Sequence, residues 1–503
     1  MSASVTQLIA TTAVDTFLTS GSTASFWLNT PATYAVFAID HREVQTEAYS
    51  TCLSGKTFTI DRVGDYIKSC ILKIVGPGLK NMADTSNAVV LPGQAPGRSV
   101  TAGHYEASGG AGAADTALGH VVKTVSPNVN AINNEADISA RYANFFPCCC
   151  VSSAKWNVGS NTVDELQSED VQLFYECFAS LVPKRSLNCG SKAERTRMAM
   201  HDECVWFVDL PFFFSVNPGA CFSLIGATFS NLQLKLTLVD PTTLIENYSK
   251  NSKITALTLG DGSAQRAVNT MKYTATASSS SANQPAVADY SVTLILGYVF
   301  VGTDERNARL NASEDVLIIQ HQQMTPSTTS AIAPATANTA GPVSFNMSFE
   351  HNFPVACQML LPAWSARKDY GEGNCYYGDV DANHRSAACP EGLPHHLLDN
   401  IDLSFNNNSR QEAMPSLFYT ELQHMMHSAK VPDMNHVYMY SYGLQHPYTG
   451  AASGSANYSR IDSIKATGTL NHPGYGTVQI KSSVISYNLI SFSGGTLIIR
   501  FAS

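Results

Sequence analysis

The stretch Val205–Asp240, VWFVDLPFFFSVNPGACFSLIGATFSNLQLKLTLVD, decides how the chain is read. Leu232, Leu234, Leu236 and Leu238 alternate with Gln233, Lys235 and Thr237, a period of two that sets one face in a core and the other towards water. That is a half-buried strand. An apolar run from Val205 precedes it, and Asn217-Pro218-Gly219 between them combines a fixed φ with a permissive one, as a reversing chain needs. The local expectation is two apolar strands joined by a tight turn.

Outward from this stretch the same period recurs. Tyr34–Val44, Lys56–Asp61 and Tyr66–Val75 read as strands, with Arg62-Val63-Gly64-Asp65 turning the chain between the last two. Lys155–Leu166 reads as one strand, and Tyr290–Val301 alternates again. Ser168–Leu181 reads as a helix, capped by Ser168 with Glu169 and Asp170 in its first turn, and ended by Pro183. Asn81–Pro147, rich in Gly, Ala, Ser and Asn, is too long for an ordinary connection and reads as a loop projecting from the end of a sandwich. Thr243–Pro285 is a second polar region, with a short strand candidate at Lys253–Leu259.

The second half repeats the first in outline. Asp315–Gln323, Val343–Glu350, Val355–Ala363, Asn400–Asn406 and Val437–Leu444 read as strands, Arg367–Pro394 as a loop and Ser416–Ala429 as a helix. Leu173-Phe174-Tyr175 and Leu417-Phe418-Tyr419 open the two helices at the same point in the order of elements, which argues for two copies of one domain.

Composition limits the function. With 503 residues a large core is possible and more than one domain is expected. A net charge of −9 and the lack of any basic run argue against direct nucleic-acid binding. The 12 cysteines lack a paired framework and include the triplet Cys148-Cys149-Cys150, so a reducing place of synthesis is expected. No basic region precedes an apolar core at the N-terminus, so no secretory signal is expected, and the apolar run Val292–Val301 is too short to span a bilayer. The sequons at Asn247, Asn311, Asn346, Asn407 and Asn457 are possible glycosylation sites, read here as unmodified Asn in polar loops.

Several chemical sites fail on spacing. Ser54-Gly55-Lys56-Thr57 resembles the end of a phosphate-binding loop, but Ser50 stands where glycine is required. Asp379, Asp381 and Asn383 match the start of a calcium loop, yet His384 and Pro390 occupy positions that need Gly and Glu. Cys375, His384, Cys389, His395 and His396 could pair or hold zinc but contain no Cys-x-x-Cys anchor. Neither His-Glu-x-x-His nor Gly-x-Ser-x-Gly occurs. Asp304, Glu305 and Arg306 read as an ion-paired hinge between domains, with a catalytic carboxylate pair as the alternative. No catalytic residue, cofactor or metal is expected.

The ordered motifs carry a resemblance. LPFFFSVNPG followed by Leu224-Ile225 resembles a segment of the major capsid proteins of nucleocytoplasmic large DNA viruses. So do the arginine turn ending in Gly64-Asp65, and Thr303-Asp304-Glu305-Arg306, where Gly302 and Asn307 depart from the family's Asp and Arg. Tyr440-Ser441-Tyr442-Gly443-Leu444, Pro447, and Asn457-Tyr458-Ser459-Arg460-Ile461-Asp462 are similar to the family's most specific signature, with Tyr442 for Phe and Gly443 for Ala. Arg460 and Asp462 on one side of an extended chain are expected to form a hydrogen-bonded pair. Tyr487-Asn488, Gly494-Gly495 and Phe501-Ala502 resemble the family's last strands.

The resemblance implies an all-β fold of two tandem eight-stranded antiparallel jelly-roll sandwiches, a double jelly roll, with short helices. Residues 1–28 would form an N-terminal arm, 29–306 the first roll with its long loop 81–147, and 307–503 the second. It implies a structural protein without catalysis, made in the host cytoplasm, whose homotrimers form pseudo-hexagonal capsomers of an icosahedral shell. Its partners would be neighbouring capsomers, minor capsid and penton proteins, and an internal membrane reached by the arm. The alternatives are a jelly-roll amidase or glycosidase using Asp304 and Glu305, and a glycan-binding viral surface protein.

Overall fold

Leu232, Leu234, Leu236 and Leu238 are all buried in the strand they were expected to form, while Gln233, Lys235 and Thr237 stand on its wetter face. The computed structural model describes residues 36–78, 138–190, 192–199, 201, 203–217, 219–249, 257–258, 264–265, 287–310, 313–325, 331–333, 335, 341–366, 397–432, 437–472 and 477–501. In the first half the strands are β1 Phe37–Ala48, β2 Lys56–Thr59, β3 Tyr66–Pro77, β4 Ile138–Tyr142, β5 Val151–Val158, β6 Asn161–Gln167, β7 Glu203–Asp209, β8 Phe222–Ser223, β9 Leu232–Leu238, β10 Ile245–Ser249, β11 Leu257–Thr258, β12 Ala264–Gln265 and β13 Ser291–Val301. In the second half they are β14 Glu314–Met324, β15 Ala331–Ile332, β16 Gly341–Phe349, β17 Ala356–Ala366, β18 Leu398–Phe405, β19 Asn408–Pro415, β20 Val437–Ser441, β21 Ile464–His472, β22 Thr477–Ile480, β23 Ser482–Ser493 and β24 Thr496–Ile499.

The two halves have one topology. One sheet of the first half runs β1-β13-β3-β7 and the facing sheet β2-β9-β5-β6. The second half runs β14-β23-β17, with β20 on the far side of β17, opposite β16-β21-β18-β19. In each, the first strand pairs antiparallel with the long closing strand, β1 with β13 and β14 with β23, and the main strands pass from sheet to sheet except at the β5–β6 and β18–β19 hairpins. That wrapped order makes each half a jelly roll. Short strands widen the sheets: β8 joins β3, β22 joins β17, and β24 joins β23.

Several readings of the sequence are corrected. The two apolar strands at Val205–Asp240 are not a hairpin, because β7 and β9 belong to opposite sheets. Between them Phe212, Phe213 and Phe214 are all buried, which no strand with one wet face permits, and Phe213–Val216 is helical. Phe212, Phe214 and Phe222 surround Trp156 at ring-centroid distances of 5.8, 4.8 and 5.5 Å. Gly219 does not use the left-handed region. Lys155–Leu166 is divided into β5 and β6 at Gly159, whose φ of 63° reverses the chain. The helix begins at Ser168 but is not capped by it, since the Gln167 amide donates to Asp170 Oδ2 at 3.0 Å, and it ends at Phe178. The end of the Asn81–Pro147 loop is built in: β4 pairs with β10, and the following helix buries Phe146–Cys150, including all three cysteines of the triplet. Residues 79–137 lie outside the described part, as does Arg367–Pro394.

The two cores are not separate. The larger one fills the first roll and continues onto Ile318, Ile319, Leu360, Ile485, Tyr487, Ile490 and Phe492 of the second. The smaller lies inside the second roll, between Met359, Leu361, Tyr438 and Val484 on one sheet and Met347, Ile401, Leu403 and Ala466 on the other. β23 therefore has a core on both faces, and its residues are buried with almost no alternation.

Candidate assembly site: the seam between the rolls

The arginine turn is where distant motifs meet. Arg62 donates through Nη1 to Leu224 O at 3.0 Å and through Nη2 to Ala227 O at 2.6 Å and to Ser230 O, which fastens the 224–230 segment. At Gly64 a Cβ would lie 2.9 Å from Tyr298 Cβ, so the turn can approach β13 only as glycine. Asp65 is buried and takes both Nε and Nη2 of Arg306 at 2.8 Å and the Val301 amide at 2.9 Å. Burial raises the Asp65 pKa, but the guanidinium and the amide outweigh it and hold the carboxyl below its ordinary value. Lys68, four positions on from Gly64, donates to the carbonyls of Phe214 at 3.0 Å, Ala220 at 2.8 Å and Asn217.

Asn217 belongs to a turn closed by Ala220 N–H to its carbonyl at 3.0 Å and Gly219 N–H to its Oδ1 at 2.9 Å. Its side-chain amide lies against Gly450 of the second roll, whose φ is 82°. Pro218 is outside the described residues.

The centre of the seam is polar and buried. The His321 amide donates to Asp164 Oδ1 at 2.8 Å, its Nδ1 lies 3.0 Å from Asp164 Oδ2, and its Nε2 lies 2.8 Å from the Tyr448 hydroxyl. Burial pulls the imidazole pKa down, but the carboxylates of Asp164 and Asp170 outweigh it, so His321 is held above the ordinary value. Beside it Gln320 Nε2 donates to Val163 O at 2.6 Å, Ser483 Oγ donates to Asp170, and Lys481 Nζ meets Glu169 Oε1 at 2.5 Å. Burial pushes the Asp170 carboxyl up. Phe174 and Phe178 pack on Tyr448 at 5.0 and 4.9 Å, and the amides of Ala429 and Lys430 both donate to Cys177 O. Each partner left alone here would be a buried unpaired group, so the network fixes one relative position of the rolls.

The helix echo is exact at the level of hydrogen bonding. Ala179 N–H donates to Phe174 O at 2.9 Å and Gln423 N–H to Phe418 O, each a wide five-residue turn. In each turn the tyrosine ties to its own roll, Tyr175 Oη donating to Asp209 O at 2.9 Å and Tyr419 Oη to Ile401 O at 3.0 Å.

Other expected sites fare differently. Asp304 is exposed, Glu305 half-buried, and among the described residues neither has an ion-pair partner, so the trio is a single Arg306–Asp65 link. Arg460 and Asp462 form no pair, because Tyr458–Arg460 is a helical turn that sends both to solvent. The buried member of that motif is Tyr458, whose hydroxyl lies 2.7 Å from that of Tyr442, while Ser459 Oγ donates to Asn457 Oδ1 at 2.6 Å. Asn346, Asn407 and Asn457 are exposed, Asn247 lies in β10, and Asn311 is outside the described residues. Lys56 begins a strand and pairs with Glu47 Oε1 at 3.1 Å, unlike a phosphate-loop lysine. The calcium-like and zinc-like clusters fall outside the described residues, and no group of three metal-binding side chains occurs within them. Lys68, Asp164, His321 and Tyr448 were not singled out from sequence; the one available signal was the polar run Gln320–Gln323 inside an otherwise apolar strand.

Comparison with known proteins gives a consistent result. Residues 305–498 match the family described as large eukaryotic DNA virus major capsid protein. No curated protein sequence matches. Among solved structures, VP54 of PBCV-1 superposes with a TM-score of 0.62 at 15% identity, covering 95% of this chain and 100% of that one. The Faustovirus major capsid protein superposes at 0.60 with 12% identity over 96% and 95% of the two chains. A chain of the Sputnik virophage superposes at 0.50 with 9% identity over 95% and 92%.

Proposed function

We infer that this chain, a double jelly-roll major capsid protein of the large-DNA-virus type, acts as a rigid brick of which three make one capsomer. The observation that carries this is the repeat of one strand order in both halves, joined by a buried, hydrogen-bonded seam. Three such chains around a threefold axis present six similar sides, and a six-sided block tiles a flat facet. Contacts within the trimer are large and permanent, and those between capsomers smaller, so a growing shell can correct errors.

In this reading residues 29–306 and 307–503 are the two eight-stranded rolls. Residues 1–28 are an arm directed at minor capsid proteins or an internal lipid layer, penton proteins close the vertices, and assembly occurs in the host cytoplasm. The net charge of −9 suits a shell that does not touch the genome. In this reading the role is structural, without catalysis, and Arg306 of the acidic motif serves as a link to Asp65. Light scattering on purified protein tests the reading: three chains per particle is expected, and a stable monomer at micromolar concentration overturns it.

A further inference from the structure

β6 and β14 meet across the seam, and beside the Asp164–His321 pair they line a cleft of about 340 Å³. Thr162 is exposed and marks its mouth, while Met324 and Phe353 give it an apolar wall. Small-molecule sites run to about 300–1,000 Å³ and gather at domain interfaces, so both size and place are those of a ligand site.

The polar run Gln320–Gln323 supplies much of the lining, and most of it is engaged. Gln320 donates to Val163 O and accepts from Asn488 Nδ2, His321 is held by Asp164 and Tyr448, and Gln322 Oε1 accepts the Asn352 amide at 3.1 Å. Gln323 is the exception. Its Nε2 and Oε1 are both buried, and neither has a partner in the protein. Ser483, opposite it in the strand register, gives its hydroxyl to Asp170 and so does not serve it. A buried amide with both ends unpaired costs stability that an apolar side chain of similar size would not.

The charges around the cleft are already matched. Asp164 faces His321 at 3.0 Å, Glu165 faces Lys155 Nζ at 2.8 Å, and no lysine or arginine is among the lining residues. A phosphate or carboxylate would meet these carboxylates with no free cation to offset them. The ligand that fits is neutral, carries a donor and an acceptor side by side for the two ends of one amide, and has a C–H face to lie on Phe353 and Met324. Adjacent hydroxyls on a sugar ring have this chemistry.

We propose that the cleft binds a neutral mono- or disaccharide, with the Gln323 amide turning from its buried position to hold adjacent ring hydroxyls. This rests on the geometry of the seam alone and stands whether or not three chains assemble. Because β6 and β14 belong to different rolls, a sugar held there bridges them and stabilises the folded chain by mass action.

Saturation-transfer NMR and thermal melting of the full chain test this with glucose, galactose and lactose, and with glucuronate and galacturonate as charged counterparts. At least one neutral sugar is expected to bind and raise the melting temperature, and the uronates to bind at least about tenfold more weakly. No neutral sugar bound at about 10 mM, or a uronate bound as tightly, overturns the proposal. Coupling the bound sugar to albumin separates its sources: retention of the conjugate marks the end of a glycan, and binding of the free form alone marks a free sugar. Gln323→Leu is expected to weaken binding about tenfold yet melt no lower than wild type, since it removes a buried unpaired amide. A lower melting temperature would show that amide to be structural and overturn its assignment. Thr162→Arg at the exposed mouth is expected to block binding with folding intact, whereas Thr228→Arg, in the exposed turn that meets Gly495, binds as wild type does. Sugar bound equally by all three variants is bound elsewhere, and the cleft is then not the site.

Discussion

Arg306 donates two parallel 2.8 Å hydrogen bonds to Asp65, 241 positions earlier, at the point where β13 passes into the connection between rolls. The carboxylate is buried and also holds the Val301 amide, so the last strand of the first roll is pinned to its third.

Asp65→Ala leaves the Val301 amide without its acceptor, which costs about 1–3 kcal/mol in urea unfolding. Asp65→Asn keeps an acceptor and costs less. Because the folded carboxyl pKa is lowered, the ionic contribution is present above the ordinary value of about 3.9 and is lost as pH falls through the folded value. The difference between wild type and Asp65→Asn is therefore expected to shrink in strong acid, and a difference that does not change with pH would exclude an ionic role.

His321 has the opposite sign. Its folded pKa is raised, so its contribution is fully present below about 6.5 and is lost as pH rises through the folded value. Removing it as His321→Ala strands Asp164 and is expected to cost about 3–5 kcal/mol at pH 6, and less at alkaline pH. His351 and His424, pulled by burial to about 3 and about 4, act the other way: their contribution is present above about 6.5 and lost as pH falls. Stability of His321→Ala and His424→Gln across pH, each against wild type, should slope in opposite directions.

Gly64→Ala places a methyl 2.9 Å from Tyr298 Cβ and 3.2 Å from Val299 O. Neither neighbour is a free side-chain end, so a loss of about 1–3 kcal/mol is expected from calorimetry. An unchanged melting temperature would show that the turn can move off β13.

Lys68→Met keeps the aliphatic stem and removes the ammonium from the carbonyls of Phe214, Asn217 and Ala220. About 1–3 kcal/mol of stability should go with it. Amide exchange should rise first within 213–223, and exchange that rises evenly throughout would rule out a local anchor.

Much of this was readable because the period of two survives wherever one face is wet. β9 and most of β3 show it, and the Leu-Phe-Tyr repeat marks equivalent turns in both rolls. The pattern fails where both faces are covered. Phe212–Phe214 read as strand because three consecutive aromatics look alike whether a sheet or a helical turn buries them. The seam was illegible for another reason: Asp164 and His321 are separated by 157 positions, and nothing local in either strand names the other. Arg460 and Asp462 misled because an extended backbone was assumed where the chain makes a helical turn.

The wall that β23 makes between two cores bears on synthesis. A nascent chain that has left the ribosome only as far as Leu310 has every strand of its first roll, yet lacks Ile485, Tyr487, Ile490 and Phe492, which finish the underside of that roll's interior. Translation must run past Phe492 before that surface is sealed, so until then the growing polypeptide carries a sticky apolar flank.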